Sequence, residues 1–324
     1  MSDPKDIDGV LVQWGDRLFY PGNRIARPPA DARLLGPGTR ERAATLRERI
    51  AATVVRRAPQ VMVKVTGGGR SMPAIVAHLR YISKNGRLEM EDELGQVERG
   101  KPGLHAIAED WRLGGSRIPD EPSERGRREA FNIVLGMPRG TDPLTVLRAA
   151  REFARAELAD HKIVMVLHDH QAHPHVHLSV RAESKHGKRL IPRKADLHRW
   201  RETFAEKLRG YGVDAEATRQ ATRAQSRRYA ALWQVKAREG GRLRRSPLAT
   251  KNGPRAQAGR TEALEAWVHI GHALARSGDA ADLELARSVA RFVREMPALQ
   301  PAGSQVRIPE RLQPARSIDT ELER

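Results

Sequence analysis

The stretch His168-Asp169-His170-Gln171-Ala172-His173-Pro174-His175-Val176-His177-Leu178-Ser179-Val180 decides how this chain is organised. Six of the 12 histidines lie between His161 and His177, so they are clustered well beyond their overall frequency. The residues just before the stretch, 162–167, form an apolar, β-branched run of strand length, and those after Pro174 alternate between polar and apolar. Both patterns predict strands. The six residues between His168 and His175 are enough for a reversal, so we predict a β-hairpin over about residues 162–181.

This hairpin predicts a metal site. Residues i and i+2 of a strand share one face, so His175 and His177 should point side by side. The reversal should bring His168 back beside them. Three neutral imidazoles that converge on one point can hold a metal ion and leave positions open for chemistry. The alternative is a polar strand face whose histidines only contact solvent.

The flanking segments define the expected fold class. We predict a strand at 61–65, a helix over roughly 72–83, a strand at 131–135 and an amphipathic helix over 144–158, followed by the hairpin. The stretch 87–128 is highly polar and predicts a long excursion with only a helical turn near 106–111. The order of elements indicates an α+β fold, with an antiparallel-rich central sheet and helices on one face.

Composition shifts divide the chain into five parts. We predict an N-terminal extension at 1–60, a main domain at 61–241, a linker at 242–258, a helical hairpin at 259–298 as a C-terminal appendage, and a disordered basic tail at 299–324. Within the extension, residues 9–20 are expected to form a small β-hairpin and 39–57 a solvated basic helix. A second basic helix is expected from Thr218 through Tyr229 and Trp233.

The charge balance indicates a polyanionic partner. The chain of 324 residues carries 58 Lys+Arg against 40 Asp+Glu, a net charge of +18. Nucleic acid is the first expectation for such a surface. Residues 181–255 alone hold 21 Lys/Arg and 7 Asp/Glu. The absence of cysteine excludes disulfides, thiolate metal sites and a cysteine nucleophile. We find no apolar run of membrane-span length and no signal peptide, and therefore expect a cytoplasmic protein without membrane insertion.

A histidine-bound metal beside a basic surface favours phosphodiester chemistry. The nucleophile is then either a water molecule or a side chain. Of the four tyrosines, Tyr81 stands out because it closes the helix that follows the glycine run Gly67–Gly69, with Arg80 and Lys84 beside it. The glycine run itself is only a weak phosphate-binding signal, since it lacks the lysine and spacing of a P-loop. A tyrosine in this position is also compatible with an ordinary core or rim role.

Two motifs together resemble the plasmid conjugative relaxases, the mobilisation nucleases of the HUH endonuclease superfamily. They are His78-Leu79-Arg80-Tyr81-Ile82-Ser83 and, with His168, the stretch His173-Pro174-His175-Val176-His177-Leu178. The resemblance covers about residues 61–235. The tyrosine precedes the histidine pair by 94 residues (81 to 175), whereas rolling-circle replication initiators usually place it after the histidines.

The resemblance implies an HUH-type palm and a specific activity. Tyr81 would attack single-stranded DNA at a plasmid transfer origin, form a 5′-phosphotyrosyl intermediate, and rejoin the strand after conjugative transfer. His168, His175 and His177 would hold a divalent ion, by resemblance Mg²⁺ or Mn²⁺, although imidazoles alone suit zinc equally well. His173 would support a ligand or add one. Asp169 would orient a histidine or accept the proton of the tyrosine.

The implied partners are single-stranded DNA, accessory relaxosome proteins and a type IV secretion coupling protein. Residues expected to contact DNA are Arg70, Arg80, Lys84, Arg189, Arg193 and Lys194. Three other functions stay open at this point. They are a rolling-circle replication initiator of the same superfamily, a histidine-metal nuclease that uses water, and a non-catalytic nucleic-acid-binding protein.

Overall fold

The computed structural model describes residues 4–20, 37–122, 126–170, 173–223, 240–242 and 253–296. Two compact units make up this part of the chain. One comprises residues 58–217, and the other combines the segment before residue 58 with the segment from 218 onward. The first unit contains the histidine hairpin and is called the sheet unit below. The second is called the helical unit.

The sheet unit is built on six strands. They are β1 (Met62–Gly67), β2 (Met90–Asp92), β3 (Val97–Glu98), β4 (Ala130–Gly136), β5 (Ile163–His168) and β6 (His175–Arg181). Their order across the sheet is β1-β4-β6-β5-β2-β3, and each pair of neighbours is antiparallel. The hairpin β5–β6, which the sequence predicted over about residues 162–181, occupies the centre of the sheet.

Two helices cover one face of this sheet. They are α5 (Pro143–Glu157) and α6 (Lys194–Gly210). Alternate residues of β4, β5 and β6 point towards them, because successive side chains of a strand alternate between faces. Ile133, Met165 and Leu178 form this core together with Phe153 and Trp200. The apolar side of α5 buries Val146, Ala149, Ala150 and Phe153, whereas Leu144 is exposed.

Two further helices pack on the opposite face. They are α3 (Met72–Ile82) and α4 (Gly100–Leu113), and their buried side chains contact Val164 and Val166 of β5. The predicted α+β class and antiparallel sheet are confirmed. The helices were expected on one face only, but they lie on both, because α3 and α4 bury apolar side chains against the face opposite α5 and α6. The predicted helical turn at 106–111 is in fact a 14-residue helix, because Leu104, Ile107, Ala108 and Trp111 recur at helical spacing and are buried.

The glycine run before α3 is explained by close packing. A Cβ at Gly68 would lie 2.2 Å from the backbone oxygen of Ala130, and one at Gly69 would lie 2.4 Å from a side-chain carbon of Ile75. The backbone oxygen of Gly69 also accepts hydrogen bonds from the amides of Glu129 and Ala130. Close contact with β4 and α3 therefore explains why glycine is needed at these positions, and no phosphate-binding role has to be assumed.

The helical unit contains α1 (Pro4–Phe19), α2 (Pro37–Val54), α7 (Pro254–Ala275), α8 (Ala280–Arg294) and a 3₁₀ turn at Ala221–Arg223. Its core combines side chains from both ends of the chain, among them Leu11, Leu46, Ile50, Trp267 and Phe292. Arg47 of α2 binds Asp8 at 2.7 Å and Asp282 at 2.8 Å.

Two expectations for the N-terminal segment were wrong. Residues 9–20 belong to α1 and do not form a hairpin, because Ile7, Leu11 and Leu18 recur at helical spacing and are buried. The basic helix α2 is not simply solvated, since it buries Leu46 and Ile50. Helix α7 begins at Pro254, within the range expected to be a linker. The predicted basic helix through Tyr229 and Trp233 and the predicted tail at 299–324 lie outside the described residues.

Candidate metal centre and active site

The register of β5 and β6 brings three histidines together. His168 is paired with His175 across the two strands, and Val166 is paired with His177. His175 and His177 are two residues apart in β6 and share its face, and directly paired residues also share a face. All three imidazoles therefore lie on the face that α3 and α4 partly cover.

The three rings form a compact cluster. Their centroids are 5.0 Å apart for His168 and His175, 4.5 Å for His168 and His177, and 5.0 Å for His175 and His177. One nitrogen atom from each ring lies within 4.8 Å of the other two. His168 is only 6% exposed, and the other two are half-buried. Side chains of this kind at such separations are able to share one ion.

Hydrogen bonds fix which nitrogen is free in two of the three rings. His168 Nε2 lies 2.7 Å from the carbonyl oxygen of Ile82, and His175 Nδ1 lies 2.9 Å from that of His173. Since a carbonyl only accepts, the ring nitrogen must carry the proton. This leaves His168 Nδ1 and His175 Nε2 with lone pairs. Metal-binding histidines are commonly oriented by such bonds from the other ring nitrogen.

The local environment keeps the cluster uncharged. The pKa is lowered to about 4 for His168 and to about 3 for His177; burial is the largest cause, and the neighbouring imidazoles contribute to both shifts. Burial also lowers the pKa of His175. Neutral imidazoles are the form that binds metal. In addition, His177 Nδ1 is buried without a hydrogen-bond partner among the described residues. The donor set thus fits a divalent ion, and it does not decide which one.

Tyr81 lies one residue before the carbonyl that His168 contacts. It occupies the last turn of α3, and its side chain is 65% exposed, while Ile82 is fully buried. Ser83 donates its backbone N–H to Leu79, and Lys84 and Asn85 follow with φ angles of 51° and 60°. The positive charge of Lys84 contributes to the lowered pKa of His168, so it lies near the cluster.

Sequence reasoning did not assign a role to His78 or His170. His78 precedes Tyr81 by one helical turn; its Nε2 atom is buried with no partner in the described ranges, and burial lowers its pKa. Its charge also lowers the pKa of His177, so the two rings are near one another. The ring of His170 lies 5.2 Å from that of His168. The i, i+3 spacing to Tyr81 was the available signal for His78.

The two other predicted site residues lie in the loop between β5 and β6. Asp169 is exposed directly after His168. His173 is also exposed; its ring Nδ1 accepts the backbone N–H of Arg139 at 3.1 Å, and its carbonyl accepts from His175. In this arrangement, His173 orients His175 through the backbone.

The residues predicted to contact DNA differ in their surroundings. Arg70, Arg80, Lys84, Arg193 and Lys194 are exposed. Arg189 is half-buried and lies 3.2 Å from Glu129 and 3.5 Å from Glu183. Its charge is therefore largely neutralised within the fold. Lys64 was not predicted as a contact, yet it is exposed on β1 in the same cross-strand row as His177.

An antiparallel sheet whose two central strands carry a histidine cluster, next to a helix that ends with a tyrosine, is the arrangement expected from the resemblance to HUH endonucleases. The comparison with known families is more specific. Residues 82–213 match the family described as "Relaxase: MobA/VirD2-like, nuclease domain". Residues 82–213 are therefore similar to a relaxase nuclease domain, in agreement with the resemblance predicted from sequence. The matched region contains all three clustered histidines and begins one residue after Tyr81.

Individual relatives agree with this family. The chain is 25% identical over 181 residues to the T-DNA border endonuclease VirD2 of Agrobacterium fabrum (51% of this chain, 40% of the relative). It is 26% identical over 134 residues to the VirD2 of Rhizobium rhizogenes (37% and 30%) and 24% identical over 181 residues to that of Rhizobium radiobacter (51% and 43%). The chain thus spans less than half the length of these relatives. Across the ranges that the structure describes, no helix combines the length and apolar character that crossing a bilayer requires.

Proposed function

We propose that this chain is a site- and strand-specific DNA relaxase that nicks single-stranded DNA at a plasmid transfer origin through Tyr81. The observation that carries the proposal is the hydrogen bond between His168 and Ile82, which joins the histidine cluster to the helix turn containing Tyr81. The exposure of Tyr81 leaves its hydroxyl accessible to a large substrate. The net charge of +18 favours a polyanion as that substrate.

The proposed reaction is a reversible transesterification. The phenol oxygen of Tyr81 attacks the scissile phosphorus and forms a phosphotyrosyl bond to the 5′ end of the DNA downstream of the break. The bond from phosphorus to the 3′ oxygen breaks, and this oxygen takes up a proton and leaves as a free 3′-hydroxyl. The tyrosine proton passes to an acceptor, for which Asp169 is our proposal. One phosphodiester replaces another, so a 3′-hydroxyl can attack the phosphotyrosyl bond and rejoin the strand.

His168, His175 and His177 would hold the divalent ion, which we propose to be Mg²⁺ or Mn²⁺. When bound, such an ion supplies positive charge close to the phosphate oxygens, which become more negative during the transfer. The chain itself contributes the orientation of the rings, since His168 and His175 are each held by a backbone carbonyl. Arg80 and Lys84 flank Tyr81 and would attract the DNA backbone.

The relatives are T-DNA border endonucleases, which supports a DNA strand as the substrate. By the same reasoning, accessory relaxosome proteins and a type IV secretion coupling protein are the proposed partners. Tyr81 precedes the histidine motif, which favours a relaxase over a rolling-circle replication initiator. A water-using nuclease would require neither the tyrosine nor a covalent link.

A labelling experiment tests the proposal. Single-stranded oligonucleotides that tile the DNA around the gene are incubated with the protein and Mn²⁺, each labelled at either the 5′ or the 3′ end. After denaturation, we expect the 3′ label to migrate with the protein and the 5′ label on a shorter free strand. Two free fragments would indicate hydrolysis by water, and intact strands would indicate binding without catalysis. Either of these two results contradicts the proposal.

A further inference from the structure

A groove lies between α3 and α4, beside the tyrosine helix. Its volume is about 450 Å³, within the range of small-ligand sites, and it is lined by Val76, Arg80, Asn85, Lys101, Leu104, His105 and Ala108. The pairs 76 and 80, 101 and 105, and 104 and 108 are each four residues apart, so each pair lies along one face of its helix. The groove is therefore formed by facing rows of the two helices.

Two glycines bring the walls of the groove together. Gly100 donates its backbone N–H to the carbonyl of Gly86 at 2.8 Å, and a Cβ at Gly86 would lie 2.4 Å from the carbonyl oxygen of Gly100. Both have positive φ, 81° and 71°. This contact holds the turn after α3, with Asn85, against the start of α4, with Lys101. The groove is thus a preformed part of the fold.

The groove is basic, and its cations are not neutralised. Arg80 and Lys101 have no ion pair or hydrogen bond to their side chains within the described ranges, and no acidic side chain lines the groove. Nearby basic residues behave differently, since Arg99 binds Glu89, Arg112 lies 3.4 Å from Asp120, and Lys162 binds Asp110. Free cations in a neighbourhood rich in acids indicate a site for an anion from outside the fold.

The remaining lining groups match a nucleotide. Val76, Leu104 and Ala108 supply an apolar surface on which a base can rest, and the His105 ring is able to stack on it. The amide of Asn85 can donate to and accept from a base edge. Arg80 lines the groove and directly precedes Tyr81 in α3, so the groove borders the helix that carries the proposed nucleophile.

We propose that this groove binds one nucleotide of the substrate strand that flanks the nick, with its phosphate held by Arg80 and Lys101 and its base against α4. This inference rests on the proposed relaxase function. It adds a subsite that positions the strand before Tyr81 attacks. Lys101 and His105 are exposed, so replacing them should not disturb the fold.

The test uses an oligonucleotide that carries the nick mapped by the labelling experiment. Its affinity is measured by fluorescence anisotropy for the wild type, for the double variant K101A/H105A and for R112A. Arg112 is an exposed cation on the same helix but outside the groove. We expect the double variant to bind roughly tenfold more weakly, as for the loss of a charged hydrogen bond. We expect R112A to bind within about twofold of the wild type.

Methylphosphonate substitution then locates the contact. Neutralising each phosphate in turn should reveal one or two positions next to the nick that weaken binding of the wild type more than that of the double variant, which retains Arg80. Equal losses in both proteins at every position, or unchanged affinity of the double variant, would overturn the subsite. If the wild type formed no covalent adduct at all, the relaxase proposal itself would fail, which is a separate readout.

Discussion

His168 Nε2 lies 2.7 Å from the carbonyl oxygen of Ile82, and this hydrogen bond joins the end of β5 to the last turn of α3. Both residues are buried, and they are 86 positions apart in the chain. Tyr81 is the neighbour of Ile82. The bond therefore fixes the distance between the histidine cluster and the helix that carries Tyr81, because one of its partners is the backbone of that helix.

We expect the three histidines to differ in their effect on stability. His168→Ala leaves the buried carbonyl of Ile82 without its partner, which should lower the free energy of unfolding by about 1–3 kcal/mol. His175→Ala removes a bond to the carbonyl of the exposed residue His173, and its cost should be about 1 kcal/mol or less. Urea unfolding of both variants in the presence of a chelator measures the difference. Equal losses would show that the His168 bond does not anchor α3.

His177→Ala should abolish cleavage and leave binding of single-stranded DNA nearly intact. The reason is that this ring faces the histidine cluster, where only the scissile phosphate would lie, and makes no contact with the rest of the DNA. The affinity for Mn²⁺, measured by calorimetry, should fall as well. His186→Ala is the matched control, since His186 is an exposed histidine in the turn after β6. Full cleavage by His177→Ala in the presence of chelator would remove the metal from the mechanism.

Tyr81→Phe removes a single hydroxyl from a largely exposed side chain, so folding and DNA binding should persist. The covalent adduct and nicking should both be lost. Tyr20→Phe, Tyr211→Phe and Tyr229→Phe are the controls and should form the adduct normally. Peptide mapping should place the nucleotide on the fragment that contains Tyr81. A label on Tyr211 or Tyr229 would instead favour the replication-initiator arrangement, in which the tyrosine follows the histidines.

The basic residues at the start of α6 should contribute to the salt dependence of DNA binding. Arg193 and Lys194 are exposed, and replacing both with alanine should flatten the log–log slope of affinity against salt by about 1.4, or 0.7 per contact. Arg189→Ala should change the slope much less, because this guanidinium is already paired with Glu129. A slope that is unchanged in the double variant would assign Arg193 and Lys194 to a solvated surface only.

Asp142 should make the stability of the sheet unit depend on pH. Its carboxylate accepts from the Thr145 amide at 2.8 Å and from the Thr145 hydroxyl at the start of α5, and these bonds lower its pKa below the usual 3.8. Its stabilisation is therefore fully present above pH 3.8 and is lost as the pH falls through the lowered value. The urea midpoints of wild type and Asp142→Ala should differ at pH 7 and converge in acid. A difference in urea midpoint that stays the same at every pH would show that ionisation of the Asp142 carboxyl does not stabilise the fold.

Local patterns predicted the elements that local physics determines. The alternation after Pro174 predicted β6 and its histidine face, and the helix before Asn85 ends as its sequence indicated. The polar stretch 87–128 was predicted to contain only a helical turn, because its many charges drew attention away from the helical spacing of Leu104, Ile107, Ala108 and Trp111.

Long-range contacts were beyond such reasoning. Nothing in the sequence near Ile82 indicates that its carbonyl meets His168, since that contact depends on how α3 packs on β5. The association of α1 and α2 with α7 and α8 was missed for the same reason. Periodicity shows which side of a helix is apolar, but it does not show which other helix or strand packs against that side.

The helical unit is built from two segments that are far apart in the chain, and this has a consequence for its folding during translation. Its first two helices leave the ribosome before the sheet unit, and its last two leave after it. Arg47 cannot meet Asp282, 235 residues later, until almost the whole described chain has been translated. Until then Leu46 and Ile50 lack part of the core that buries them, which includes Trp267 of α7. The sheet unit can therefore form its hairpins before the helical unit is complete. During that time the apolar sides of α1 and α2 remain exposed, and chaperones would bind such surfaces.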